Sequence, residues 1–135
     1  MTDLLELYDL AEAHSVPVYW FDLQVAESLS CCLNDGSSAI AMNPWSMTSL
    51  ADEKVKLAHE LGHCETGAFY NRYSAFDLRA QHEHKADKWA IKKLIPQDEL
   101  AAAISDGHTE VWDLAEYFNV TEDFMKKAVE YYRMC

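Results

Sequence analysis

The chain has no lysine or arginine before Lys54, no cysteine pair at zinc-knuckle spacing and no apolar run long enough to cross a bilayer. Each absence excludes a class of function. Without an early basic cluster, and with a net charge of -12, the chain has no surface to hold a phosphate backbone, so direct nucleic-acid binding is not expected. Without a spanning run there is no membrane role, and no basic residue precedes an apolar stretch as an export signal requires. Adjacent Cys31 and Cys32 would face opposite sides of a strand, and with Cys64 and Cys135 they read as reduced thiols. A cytoplasmic protein is therefore expected. Glycine and proline are also scarce, at 4 and 3 residues, and no repeat, linker or low-complexity stretch divides the 135 residues. One domain over residues 1–135 follows, with residues 97–135 as its C-terminal helical part.

What the chain does contain is concentrated in His59-Glu60-Leu61-Gly62-His63. Residues four apart share a helix face, so His59 and His63 can offer imidazole nitrogens to one metal ion. Glu60 lies about 100° round the helix, poorly placed to ligate but close enough to take a proton from a metal-bound water. The helix itself is predicted from Ser49-Leu50-Ala51-Asp52, a capping-box spacing, and from Leu50, Val55, Leu57, Ala58 and Leu61 at helical intervals. Gly62 would cost such a helix about 1 kcal/mol relative to alanine, which implies a close approach by backbone or substrate.

An open catalytic zinc site takes three protein ligands, and Glu83 is the best candidate for the third. It lies on a second helical pattern marked by Ala80, Ala86, Trp89, Ala90, Lys93 and Leu94 and ended by Pro96. Asp87, one turn on, can accept the remaining ring N–H of a ligand histidine and so orient it. His82 and His84 are rival ligands, although each points about 100° away from Glu83. Cys64 could be offered as a fourth ligand but also projects away from His63, and a packing role suits it better. Two imidazoles and a carboxylate suit one zinc ion, with manganese or another divalent ion also admissible.

The remaining elements are an N-terminal helix through Leu4, Leu7, Leu10 and Ala11, then strands at Val18–Phe21, Ser28–Leu33 and Ser38–Met42. Asn34-Asp35-Gly36 signals a hairpin between the last two. After Pro96 come helices at Gln97–Ile104, Val111–Phe118 and Thr121–Tyr132. The fold class is α+β, with a small sheet containing antiparallel pairs packed on the two metal-bearing helices. Ala39, Ile40, Ala41 and Met42 could form an edge strand that pairs with an extended substrate, or an interior strand. Asp113 to Val120 looks like the first half of a helix-turn-helix, but the following helix mixes Glu122, Asp123 and Glu130 with Lys126, Lys127 and Arg133.

Taken together, Leu57-Ala58-His59-Glu60-Leu61-Gly62-His63, Gly67-Ala68-Phe69-Tyr70, Glu83-His84-Lys85-Ala86-Asp87-Lys88-Trp89-Ala90 and Leu94-Ile95-Pro96 resemble the ImmA/IrrE family of metallopeptidases. The likeness runs from about Val16 to the C-terminus, is strongest between Ser49 and Pro96, and includes Ala39 to Pro44. Trp89 stands where that family commonly has phenylalanine. The resemblance implies a zincin-like fold, His59, His63 and Glu83 as ligands and Glu60 as base. It also implies a role as an anti-repressor, encoded on a phage or mobile element, that cleaves a helix-turn-helix repressor. Such a target is basic, and the acidic N-terminal half would complement it. Tyr70 or Tyr73 either packs or is an oxyanion donor, and Tyr117, Phe118, Phe124, Tyr131 and Tyr132 are candidate docking contacts, the aromatic stripe of the last helix being either core or such a surface. The alternatives are a protein-binding regulator with a purely structural metal, or a DNA-binding protein. No small-molecule cofactor is expected.

Overall fold

Ten elements appear in the computed structural model, which describes residues 1–70 and 74–134. They are α1 (Leu4–Ala13), β1 (Val18–Trp20), β2 (Ser28–Cys32), β3 (Ser38–Met42), a 3-10 turn (Pro44–Ser46), α2 (Leu50–Thr66), α3 (Phe76–Leu94), α4 (Gln97–Ser105), α5 (Val111–Phe118) and α6 (Glu122–Arg133). The architecture is the expected α+β arrangement, a small sheet with helices packed on it.

The sheet runs β1-β3-β2, with β1 parallel and β2 antiparallel to β3. Its hairpin closes as predicted: Gly36 takes φ 86°, a left-handed conformation cheap only for glycine, and Asp35 accepts hydrogen bonds from Ser37. β3 is thus the central strand: of the two readings of Ala39, Ile40, Ala41 and Met42, the interior strand is the one found, and the substrate-pairing edge is corrected. Ile40 and Met42 are bonded toward β1, through Pro17 O and Phe21 N, while Asn43 N donates to Glu27 O on the other side. All four residues are buried, and their unbroken run of small and apolar types is what a strand covered on both faces requires.

The free edge next to α2 belongs to β2. Glu27 and Leu33 turn their backbones toward β3, bonding Asn43 and Ser37. Antiparallel alternation therefore points the N–H and C=O groups of Ser28, Ser30 and Cys32 outward. Among the described residues no strand pairs with that edge.

Ser49 caps α2, accepting from Asp52 N. The capping box is not reciprocal, because the Asp52 carboxylate accepts from Thr48 N at 3.1 Å and pairs with Lys56 at 2.8 Å. At its other end α2 stops where Gly67 turns left-handed at φ 66°. Between them α2 crosses α3. A Cβ built on Gly62 would stand 2.5 Å from the Ala86 carbonyl oxygen, so the close approach implied by Gly62 is with the α3 backbone. Because Gly62 adjoins His63 and Ala86 adjoins Asp87, this crossing carries the chemistry of both helices to one place.

The C-terminal helices complete the core with Leu114, Phe118, Phe124, Met125 and Ala128. Lys54 is 1% exposed, and its Nζ donates to Phe118 O at 2.8 Å. There it meets the carbonyl end of α5, where unpaired C=O groups and the helix dipole favour a cation. Burial pulls the Lys54 pKa down, against the attraction of Asp3 and Glu6. Of the candidate docking aromatics, Phe118 and Phe124 are core, which corrects a docking role for those two, while Tyr131 and Tyr132 are half-buried and Tyr132 donates to Ile95 O at 2.6 Å. Tyr117 alone of the five is substantially exposed, at 40%. No helix among the described residues is long and apolar enough to cross a membrane.

Candidate metal centre

One helical turn separates His59 from His63 on α2, and their rings stand 4.9 Å apart and nearly perpendicular. Glu83 reaches between them from α3, with Oε2 2.8 Å from His59 Nε2 and Oε1 3.0 Å from His63 Nε2. The three donor atoms lie within 4.8 Å of one another, the one group of three or more metal-binding side chains among the described residues.

The far side of each ring is already engaged. His59 Nδ1 donates to Asp87 Oδ1 at 2.8 Å, and His63 Nδ1 donates to Ala68 O at 2.6 Å. With a proton fixed at both Nδ1 positions, a neutral imidazole carries its lone pair at Nε2, on the side where Glu83 lies. Asp87 is held in turn by Lys127 of α6, whose Nζ is 3.1 Å from Oδ2. Two imidazole nitrogens and a carboxylate converging with their tautomers set form a donor set that fits a divalent cation, with zinc the ordinary choice.

Electrostatics give the same picture. Burial disfavours a charged His59, but hydrogen bonds to Asp87 and Glu83, with Glu60 nearby, outweigh it and raise the pKa to about 10. His63 is raised for the same kind of reason, burial opposing and Glu83 and Ala68 O prevailing. Glu83 is held far below the usual carboxylate range by His59 and His63. The same three groups therefore attract one another's charge, the arrangement that two imidazoles and a carboxylate aimed at one point must have.

Glu60 stands outside the ligand group, as its position on the helix predicts. It is buried, faces the same cleft of about 560 Å³, and accepts from Ser28 Oγ at 2.7 Å. Ser28 and Lys127 have no counterpart in the sequence reasoning, since both reach the site from elements remote in sequence. The cleft is walled by Ser28, Leu29 and Ser30 on one side, and Val55, Phe124 and Lys127 also line it.

Tyr70 does stand at the site, donating from its hydroxyl to Glu83 Oε1 at 2.7 Å, a bond that pushes its pKa up to about 12. Tyr73 lies outside the described residues. The rival ligands are elsewhere: the His82 ring stacks on Tyr70 at 6.4 Å, and His84 is exposed. Cys64 packs against the core, where burial raises its thiol to about 11.

Residues 11–130 match the family model described as the IrrE N-terminal-like domain, peptidase M78. No curated protein sequence matches the chain significantly. Among solved structures, the chain is similar in fold to a Mycobacterium tuberculosis transcriptional regulator, with 15% identity and a TM-score of 0.66. That likeness covers 90% of this chain and 38% of the regulator, so the chain spans well under half of that protein's length.

Proposed function

Because this chain belongs to the IrrE N-terminal-like peptidase family, we propose that it is a zinc-dependent endopeptidase acting on a specific protein. The observation that carries this reading is the division of labour on α2. His59 and His63, with Glu83, form a three-donor group, while Glu60 stays outside it with its carboxylate in the same cleft. A purely structural zinc site is closed by four protein ligands and has no use for a buried carboxylate beside it.

His59, His63 and Glu83 would hold the cation, and Asp87 and Ala68 O would keep the two imidazoles turned toward it. When bound, zinc supplies a Lewis acid that lowers the pKa of a water and polarises a peptide carbonyl. Glu60 takes the proton of the attacking water and returns it to the leaving amine. Tyr70, released from Glu83, can donate to the oxygen that gains charge during attack. An extended substrate pairs with the outward N–H and C=O groups of Ser28 and Ser30 on the β2 edge, which lies along the cleft.

For the substrate we favour a basic helix-turn-helix repressor in the cytoplasm, making the chain an anti-repressor of a phage or mobile element. The family resemblance supports this. Charge supports it too: residues 1–53 have no lysine or arginine and expose Tyr19, Phe21, Val25 and Trp45 among their carboxylates. Such a surface suits a basic partner with apolar contacts.

The test is to incubate the zinc-loaded chain with repressors encoded beside its gene and to sequence the fragments. Cleavage at one site, lowered by roughly 10²–10⁴ in Glu60→Gln with zinc retained, is expected. Equal cleavage by Glu60→Gln, or stronger cleavage of unrelated unfolded proteins, overturns the mechanism or the substrate respectively. Binding without cleavage would favour a non-catalytic regulator.

A further inference from the structure

We propose that Ser28 is a positioning residue for Glu60, holding the proton-accepting carboxylate from the strand that receives the substrate. The inference rests on the protease reading above. Glu60 Oε2 accepts from Ser28 Oγ at 2.7 Å, the only side-chain hydrogen bond to Glu60 among those the structure shows for the described residues. Glu60 is 6% exposed, so water contributes little to fixing its orientation. A glutamate has three side-chain torsions, and a base must lie within hydrogen-bond reach of its proton. The Ser28 hydroxyl occupies one carboxylate oxygen and leaves Oε1 as the acceptor.

Ser28 occupies this position for a topological reason. It pairs with Met42 in the register in which its backbone N–H and C=O point to the free edge, while its side chain points to the α2 face. One residue therefore meets an incoming extended peptide with its main chain and the base with its side chain. Serine suits both roles: alanine offers no donor, and a larger polar side chain would displace Glu60.

The test uses the full chain in three variants, Ser28→Ala, Ser28→Thr and Glu60→Gln. A pool of randomised internally quenched peptides supplies a substrate for steady-state kinetics. Ser28→Ala is expected to lower kcat roughly ten-fold, the size of one hydrogen bond to a charged group, with KM and zinc affinity unchanged. Ser28→Thr keeps the hydroxyl and should restore kcat to within about two-fold of the original. A second readout needs no cleavage: in urea unfolding of the metal-free chain, Ser28→Ala and Glu60→Gln should be non-additive, the double variant losing less than the two singles together. Wild-type kcat in Ser28→Ala, a change confined to KM, or strict additivity overturns the proposal. If the original chain and Glu60→Gln cleave the pool equally, the protease reading falls, and the unfolding cycle still decides whether Ser28 and Glu60 are coupled.

Discussion

Gly62 and Ala86 meet backbone to backbone: a methyl group at position 62 would lie 2.5 Å from the Ala86 carbonyl oxygen and 3.0 Å from its Cα. The obstacle is main chain, which cannot swing aside as a long side chain can. This crossing sets the distance between α2 and α3, and with it the span from His59 and His63 to Glu83.

Gly62→Ala thus sets two effects against each other. Helix propensity would gain about 1 kcal/mol, while overpacking costs about 1–3 kcal/mol, and here the clash is with rigid backbone. A net loss of roughly 1–2 kcal/mol in urea unfolding is expected, with weakened zinc binding as the helices move apart. A variant more stable than the original, with zinc affinity intact, would show that the crossing can relax.

Metal binding should separate ligands from their supports. His63→Ala and Glu83→Gln are each expected to abolish stoichiometric zinc binding. Asp87→Asn keeps the shape but weakens the acceptor for His59 Nδ1–H, and should lower zinc affinity by roughly 10–100-fold. Competition against a chromophoric chelator measures all three, and an unchanged affinity in Asp87→Asn would reduce that residue to a surface partner of Lys127.

The pH behaviour follows from the histidines. The His59 pKa is raised from 6.5 to about 10 in the metal-free fold, so its stabilising contribution is complete below 6.5 and is lost as pH rises through about 10. Glu83 and Asp87 are depressed, so their contribution is present above about 4.5 and is lost as pH falls toward their lowered values. Both describe the same coupled contacts. The metal-free chain should be most stable between about 4.5 and 6.5 and melt lower at pH 9. Zinc needs neutral imidazoles, so its binding at pH 7 should release protons and strengthen as pH rises. Calorimetry in two buffers of different ionisation enthalpy reads the proton count directly, and zero release at pH 7 would contradict the raised pKa.

How much of this was legible in the sequence depends on the separation of the partners. His59, Glu60 and His63 sit on one turn, so helical geometry alone groups them. Glu83 and Asp87 could be ranked by their shared face, because their own helix is periodic. The hairpin at Gly36 and the caps at Ser49 and Thr121 are local and equally readable. What pairs with β3 is decided by contacts across the chain, so its central place was not legible, although its lack of alternation was consistent with burial on both faces. Ser28 and Lys127 belong to the same category: 32 and 40 residues separate them from Glu60 and Asp87, and no periodicity links them. Whether Phe118 and Phe124 are core or docking surface was not decided by the sequence, because an amphipathic helix shows which residues share a face but not what covers it; α5 and α6 turn those rings inward.

That inward turn also decides what happens if the chain is cut after Ile104. Read only as docking contacts, the aromatics of the C-terminal helices would leave those helices removable with zinc still bound. In the fold they bury Leu114, Phe118, Phe124, Met125 and Ala128, and they supply the carbonyl that accepts from the Lys54 ammonium. Removing them exposes the apolar face beneath and leaves a lysine in α2, five residues before His59, without its partner. An orphaned buried charge costs about 3–5 kcal/mol, and each large core side chain lost adds a comparable amount, together enough to exceed the stability of an ordinary domain. The truncated chain should therefore show no cooperative thermal transition and bind no zinc at one equivalent. Lys54→Met in the full chain separates the two causes: it removes the charge and retains the helices, so it should fold and bind zinc. A truncated chain that melts cooperatively with zinc bound would mean that the C-terminal helices are an appendage after all.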